Sequence, residues 1–119
     1  MAGAESIDRA ALHTLFETTG GDPAFLAELI DSYCDDTPGL LAAVRHAVDD
    51  GDAEALRRAA HSLKSNSATF GALALAALGR DLEEQGRTGR LDGAAERVAL
   101  AEAEYAHVRR ALQAARPAG

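Results

Sequence analysis

The sequence predicts an all-α protein: an antiparallel up-down four-helix bundle with a short additional helix in front. Three observations carry that expectation. Alanine and leucine abound while aromatic residues make up 4% of the chain, a balance that favours helix over sheet. Apolar residues recur at steps of three and four along four long stretches. The breaks between those stretches are only about two to eight residues long, which sets successive helices side by side and antiparallel.

At 119 residues the chain fits one domain, 1–119, with a modest core. Within it, 1–21 reads as a leading helix and turn, 22–116 as the bundle, and 117–119 as a frayed tail.

The leading helix spans Ile7 to Thr18, with Asp8 near its start and Gly20-Gly21 breaking the chain after it. Ile7, Ala11, Leu12, Leu15 and Phe16 give it a narrow apolar face. The second helix opens at Asp22-Pro23, a capping residue followed by a proline at the first helical position, and ends near Asp50-Gly51. Its inward line reads Leu26, Ile30, Tyr33, Leu40, Val44 and Val48. Pro38 interrupts its hydrogen bonding, but the periodicity passes through Thr37 without a slip. One long helix kinked at Pro38 is therefore expected, in preference to a break at Asp36-Thr37.

The third helix runs from Asp52 to about Phe70, where Gly71 permits a tight stop. The fourth covers Ala72 to Gln85, with Leu75, Leu78 and Leu82 inward and Gly86 as its stop. After the loop Arg87-Thr88-Gly89-Arg90, the last helix begins near Asp92. It sets Leu91, Ala95, Val98, Glu102, Tyr105, Val108 and Leu112 close to a seven-residue period. Arg109, Arg110 and Arg116 complement its dipole.

Composition excludes several functions. A net charge of −7 argues against nucleic-acid binding, which demands a basic face. One cysteine, Cys34, makes neither an intramolecular disulfide nor a zinc site alone. No segment reads as a signal peptide or membrane span, so no membrane association and a cytoplasmic setting are expected. Glu104 and His107 have the Glu-x-x-His spacing of metal-binding bundles, but such a site needs two of these motifs and only one is present, so no metal is expected. Asp31, Asp35 and Asp36 read as a solvated face, and His13, His46 and His107 as surface or boundary residues.

The stretch Ala59 to Ala72, Ala-Ala-His-Ser-Leu-Lys-Ser-Asn-Ser-Ala-Thr-Phe-Gly-Ala, stands apart. Positions three and four apart share a helix face, so His61, Lys64, Ser65 and Ala68, with Arg57 one turn back, form one stripe. Ala53, Leu56, Ala60, Leu63, Ser67 and Phe70 form the neighbouring stripe, turned to the core. His61 then sits at the edge of the buried face, beside a cation, on a surface low in bulk. A second protein can approach such an imidazole closely.

This stretch resembles the signature of histidine-containing phosphotransfer (HPt) domains, roughly His-x-Leu-Lys-Gly-x-Ser/Ala-x-x-x-Gly-Ala. His61, Leu63, Lys64, Ser67, Gly71 and Ala72 match it, and Leu82-Glu83-Glu84-Gln85-Gly86-Arg87 resembles its continuation. The likeness runs by pattern from about Phe25 to Arg90. Ser65 stands where the pattern has glycine; serine is still small, so docking is expected to be slightly altered rather than lost.

The resemblance implies a phosphorelay intermediate in which His61 accepts a phosphoryl group from a receiver-domain aspartate and passes it to another. Lys64 would supply charge to the phosphoryl oxygens, because phosphoryl transfer is mostly positioning plus charge stabilisation. Glu83, or its neighbour Glu84, would lie beside the ring and hold Nδ1, leaving Nε2 as the reacting nitrogen. Arg57, Ser65, Ala68 and the turn at Gly71 would border the partner. The implied partners are response-regulator receiver domains and a hybrid histidine kinase, with Mg²⁺ in the receiver and no cofactor on this chain. A monomer is expected.

No phosphate-binding loop follows a strand, so phosphorylation from ATP by the chain itself is not expected. Two other readings stay open: a non-catalytic helical adaptor for receiver domains, and a histidine phosphoacceptor served directly by a kinase domain.

Overall fold

The structure is a computed structural model that describes residues 6–118. It contains five helices among them: α1 Arg9–Thr18, α2 Pro23–Asp50, α3 Ala53–Thr69, α4 Leu73–Thr88 and α5 Ala94–Ala115. No strand occurs among the described residues.

Helix starts follow local capping chemistry. Asp8, Asp22 and Asp52 each accept a hydrogen bond from a first-turn amide, those of Ala10, Ala24 and Ala55, at 3.0 Å. Capping by Asp8 begins α1 at Arg9 rather than at Ile7, and Ile7 is buried just ahead of the helix. Gly51 takes a left-handed conformation, φ +68°, and ends α2.

α2 passes through Pro38 unbroken, so the break at Asp36-Thr37 does not occur. Proline lacks the N–H that would bond the carbonyl of Cys34, four residues earlier. That carbonyl instead accepts the hydroxyl of Tyr105 on α5 at 3.0 Å. One turn away, the Thr37 hydroxyl donates to the Tyr33 carbonyl at 2.6 Å.

The inward line of α2 differs from expectation. It runs Tyr33, Thr37, Leu41, Val44, Ala47, while Leu40 and Val48 are only half-buried. Thr37 can be buried because its hydroxyl is satisfied within its own helix. In α5 the buried line is Ala94, Val98, Ala101, Tyr105, Val108 and Leu112, a regular alternation of four- and three-residue steps. Ala95 is exposed, and Glu102 turns outward to form a two-pronged ion pair with Arg45 on α2, at 2.9 and 2.8 Å.

α4 also ends later than expected. Gly86 lies inside it and is buried, and the helix stops at Gly89, where φ is +77°. The role of Gly86 is contact. A Cβ there would come within 2.5 Å of the Arg57 amide nitrogen and 2.7 Å of the Ala53 carbonyl oxygen. Seven residues earlier, a Cβ at Gly79 would come within 3.0 Å of the Lys64 nitrogen. Two hydrogen side chains therefore let α4 lie directly on the backbone of α3.

α3 and α4 form the most extensive helix pair. α2 packs on α3, α4 on α5, and α5 returns to α2, while α1 lies across α2 and α3. One cluster of the core joins Ile7 and Leu12 to Ile30, Tyr33, Phe70, Tyr105 and Leu112. A second, towards the opposite end, joins Val44, Leu56, Leu82 and Val98. Arg116, just beyond α5, holds Asp31 with two hydrogen bonds of 2.9 and 2.8 Å, so Asp31 is paired rather than simply solvated. Of the expected tail, Pro117 and Ala118 lie outside the helix, and Gly119 lies outside the described residues. No helix among the described residues is long and apolar enough to cross a membrane.

Candidate functional site

The site is built where α3 and α4 run closest. α3 buries Leu56, Ala60, Leu63 and Ser67, which turns His61 outward at the edge of the helix pair with 57% of its side chain exposed. Ser67 is more than a small packing residue: it is fully buried and its hydroxyl pairs with that of Tyr33 at 2.8 Å. That bond, and the stacking of Tyr33 with Phe70 at 4.7 Å between ring centres, fix the rotation of α3 against α2.

From α4, Glu83 projects between Gly79 and Gly86, and the close helix approach brings it within reach of α3. Its Oε2 lies 2.8 Å from His61 Nδ1, and its Oε1 lies 2.6 Å from Lys64 Nζ. One carboxylate therefore holds both residues of the His-x-x-Lys pair. The Lys64 ammonium, and then the His61 ring, hold the Glu83 carboxyl below its ordinary value against the opposing effect of partial burial. An ionised carboxylate only accepts, so Nδ1 of His61 carries the proton and donates it to Glu83. In the neutral ring the lone pair is then on Nε2, which has no hydrogen-bond partner among the described residues and belongs to a side chain that is 57% exposed.

Glu84 is not at the ring; it pairs with Arg87 along α4. Arg57 is bound two-pronged by Glu54, at 3.0 and 2.6 Å, one turn back on α3. Ser65 and Ala68 are exposed on the His61 side, where small side chains leave the backbone accessible. Gly71 is not part of that face. It is buried, with φ +78°, and a Cβ on it would lie 2.5 Å from the Asp8 carbonyl oxygen. Its own carbonyl accepts the Asp8 amide at 2.7 Å, so the turn is covered by the start of α1.

The sequence reading missed Gly79, and it missed that Lys64 is tied to Glu83. The signal for the first was present: Gly79 and Gly86 are seven apart on α4, as Arg57 and Lys64 are on α3. The Glu104–His107 spacing gathers no second such pair, and His107 Nδ1 instead lies 2.9 Å from an Arg110 nitrogen.

Comparison with known proteins bears on the family of the chain. A family model described as the Hpt domain matches residues 28–116, three of the four long helices entire and most of the other. The crystal structure of histidine-containing phosphotransfer protein B (HptB) from Pseudomonas aeruginosa PAO1 superposes with a TM-score of 0.85 at 33% identity, covering 93% of this chain and 94% of that one. Among curated proteins, none matches. The match over most of the length, around an exposed histidine anchored to a carboxylate, places the chain in the Hpt domain family.

Proposed function

We propose that the chain is a phosphorelay intermediate in which His61 takes a phosphoryl group from a receiver-domain aspartate and hands it to a second one. A histidine phosphotransfer role belongs to the family. The observation that carries the residue-level reading is the Glu83 carboxylate, which holds Nδ1–H of His61 and leaves the Nε2 lone pair outward.

In the transfer, a bond forms between Nε2 and phosphorus as the bond from phosphorus to the aspartyl oxygen breaks, and the aspartate leaves as a carboxylate. No proton has to move. The ring then carries Nδ1–H and a phosphoryl group at once and is cationic, and the Glu83 carboxylate stabilises that charge at 2.8 Å. Lys64, 33% exposed and held one turn from the ring, is free to turn from Glu83 Oε1 to a phosphoryl oxygen. The magnesium ion and the aspartate are the partner's.

The helical arrangement we infer is an antiparallel up-down four-helix bundle in one domain. Its support is the pairing of Gly86 with Arg57 and Gly79 with Lys64, which runs in opposite directions along α4 and α3.

The test is transfer of label from a phosphorylated receiver domain to the wild type, to His61→Ala and to Lys64→Ala. Base-stable, acid-labile label is expected on the wild type, none on His61→Ala, and slowed labelling on Lys64→Ala. Receiver binding without label on the folded wild type would replace this reading with that of an adaptor. Label from a kinase core in the absence of any receiver would move the donor to the kinase.

A further inference from the structure

Most hydrogen-bond donors on the His61 stripe of α3 are already engaged. Lys64 is held by Glu83 at 2.6 Å, and Arg57 is held two-pronged by Glu54. Thr69, at the far end of the helix, has its hydroxyl bonded to the Ser65 carbonyl at 3.1 Å. Ala68 has no side-chain donor. Ser65 is different: it is exposed, and its hydroxyl has no hydrogen-bond partner among the described residues.

Ser65 stands four residues after His61, so the two share a face with their Cβ atoms about 5–6 Å apart. A helical side chain leans towards the N-terminus and covers the turn before its own Cα, which sets the Ser65 side chain over the turn that carries His61. Glu83 on α4 holds Nδ1 of the ring at 2.8 Å, so Nε2 points away from that carboxylate. A phosphoryl group on Nε2 brings three strong acceptor oxygens to this place.

We propose that Ser65 is a further catalytic residue, whose hydroxyl donates a hydrogen bond to an oxygen of the phosphoryl group on Nε2 of His61. The proposal rests on the phosphotransfer reading above. As the bond from Nε2 to phosphorus forms and the bond to the aspartyl oxygen breaks, Ser65 keeps its proton throughout. It contributes a donor aimed at the charge that spreads over the phosphoryl oxygens in the loose transition state. Hydrogen bonds to an ionised acceptor are about twice as strong as neutral ones, and a docked partner that excludes water strengthens them further. Lys64 has to leave the Glu83 carboxylate to reach a phosphoryl oxygen, whereas the Ser65 hydroxyl breaks no bond within the chain. Glycine at this position supplies space alone; serine supplies space and a donor.

The experiment compares Ser65→Ala, Ser65→Gly, Ser65→Thr and the control Ser62→Ala with the wild type, using a phosphorylated receiver that labels the wild type. Single-turnover rates measured against receiver concentration separate transfer at saturation from binding. Ser65→Ala and Ser65→Gly are both expected to slow transfer at saturation about tenfold, with the concentration for half-saturation in Ser65→Ala within about twofold of the wild type. Ser65→Thr keeps the hydroxyl and is expected to stay within about threefold. Ser62→Ala is expected to match the wild type, because adjacent positions on a helix do not face each other. Phosphorus NMR of the phosphorylated chain gives a readout without the receiver: the phospho-His61 resonance should shift in Ser65→Ala and not in Ser62→Ala. Transfer by Ser65→Ala at the wild-type rate, or an unshifted phosphorus resonance in that variant, would overturn the proposal while leaving phosphotransfer intact. A folded wild type that no receiver labels would remove the phosphotransfer reading, and the role of Ser65 with it.

Discussion

Nδ1 of His61 donates to the Glu83 carboxylate at 2.8 Å, across 22 positions of sequence. Removing a group that orients a reactive imidazole in this way costs about ten- to a hundredfold where it has been measured around metal-bound histidines, and the same physics applies to a ring that must keep its proton on one nitrogen. Glu83→Ala is therefore expected to lower the transfer rate by about that factor. Glu83→Gln is expected to lose less, about tenfold, since an amide oxygen still accepts from Nδ1 but does not serve Lys64 with a second anionic oxygen. Nitrogen NMR of His61 checks the cause: the neutral ring should carry its proton on Nδ1 in the wild type, and a proton on Nε2 would overturn the assignment.

The bond from Tyr105 to the Cys34 carbonyl is expected to be coupled to Pro38. Tyr105→Phe leaves a carbonyl inside the helix pair without a partner, at a cost of about 1–2 kcal/mol by urea unfolding. Replacing Pro38 with Ala restores an N–H to the same carbonyl. In that background the Tyr105→Phe loss should shrink well below its wild-type value. Identical losses in the two backgrounds would show that the hydroxyl does not substitute for the missing amide.

Two helical glycines are predicted to respond oppositely to alanine. At Gly86 the added methyl meets the backbone of Arg57 and Ala53 at 2.5–2.8 Å, and backbone cannot rotate away. Overpacking of this kind costs about 1–3 kcal/mol, more than the roughly 1 kcal/mol that alanine's helix propensity returns. Gly39 sits in α2 with nothing within 4 Å of a new Cβ, so Gly39→Ala should stabilise by up to about 1 kcal/mol. Chemical denaturation of both variants decides it. Because Gly86 also sets the approach of α4, its alanine variant should slow transfer as well as weaken the fold.

Stability is expected to fall at both ends of the pH scale. Glu83 and Glu102 are held below the ordinary glutamate value of 4.5, the first chiefly by Lys64 and the second by Arg45. A carboxyl lowered in the folded state contributes stability that is complete above its unfolded value and is lost as pH falls through the folded one. The stability difference between the wild type and Glu102→Gln should therefore be constant above about pH 5 and shrink below about pH 4. Burial raises the phenols of Tyr33 and Tyr105 above the ordinary value of 10.0. Their contribution is complete below pH 10 and is lost as pH rises beyond it, so alkaline unfolding should accompany tyrosine ionisation at 295 nm.

The helices were legible in the sequence because leucine and valine spacing gives their phase, and the nearness of Glu83 to His61 because the resemblance implied it and both residues sit on regular helices. What misled was ambiguity of residue type. From Thr37 a step of three reaches Leu40 and a step of four reaches Leu41, and two adjacent leucines do not say which of them faces inward. Alanine fits either face, which let Ala95 and Glu102 stand in for Ala94 and Ala101. Glycine carries the same letter whether it ends a helix, as Gly89 does, or lets two backbones touch, as Gly86 does. The turn at Gly71 read as accessible because nothing in the local sequence says that Asp8, far away in the chain, lies on top of it.

That last contact bears on where the cooperative unit begins. The family match starts at residue 28, yet Ile7 and Leu12 share a core cluster with Phe70 and Leu112, and the Asp8 amide is bonded to Gly71. A version trimmed to the matched segment would open one end of the core to water and bare the turn that follows the histidine helix. Such a fragment should melt early and bind hydrophobic dyes while still carrying every residue of the signature. For engineering sensors or chimeric relays from this chain, the cut belongs ahead of Ser6, not at the edge of the recognisable motif.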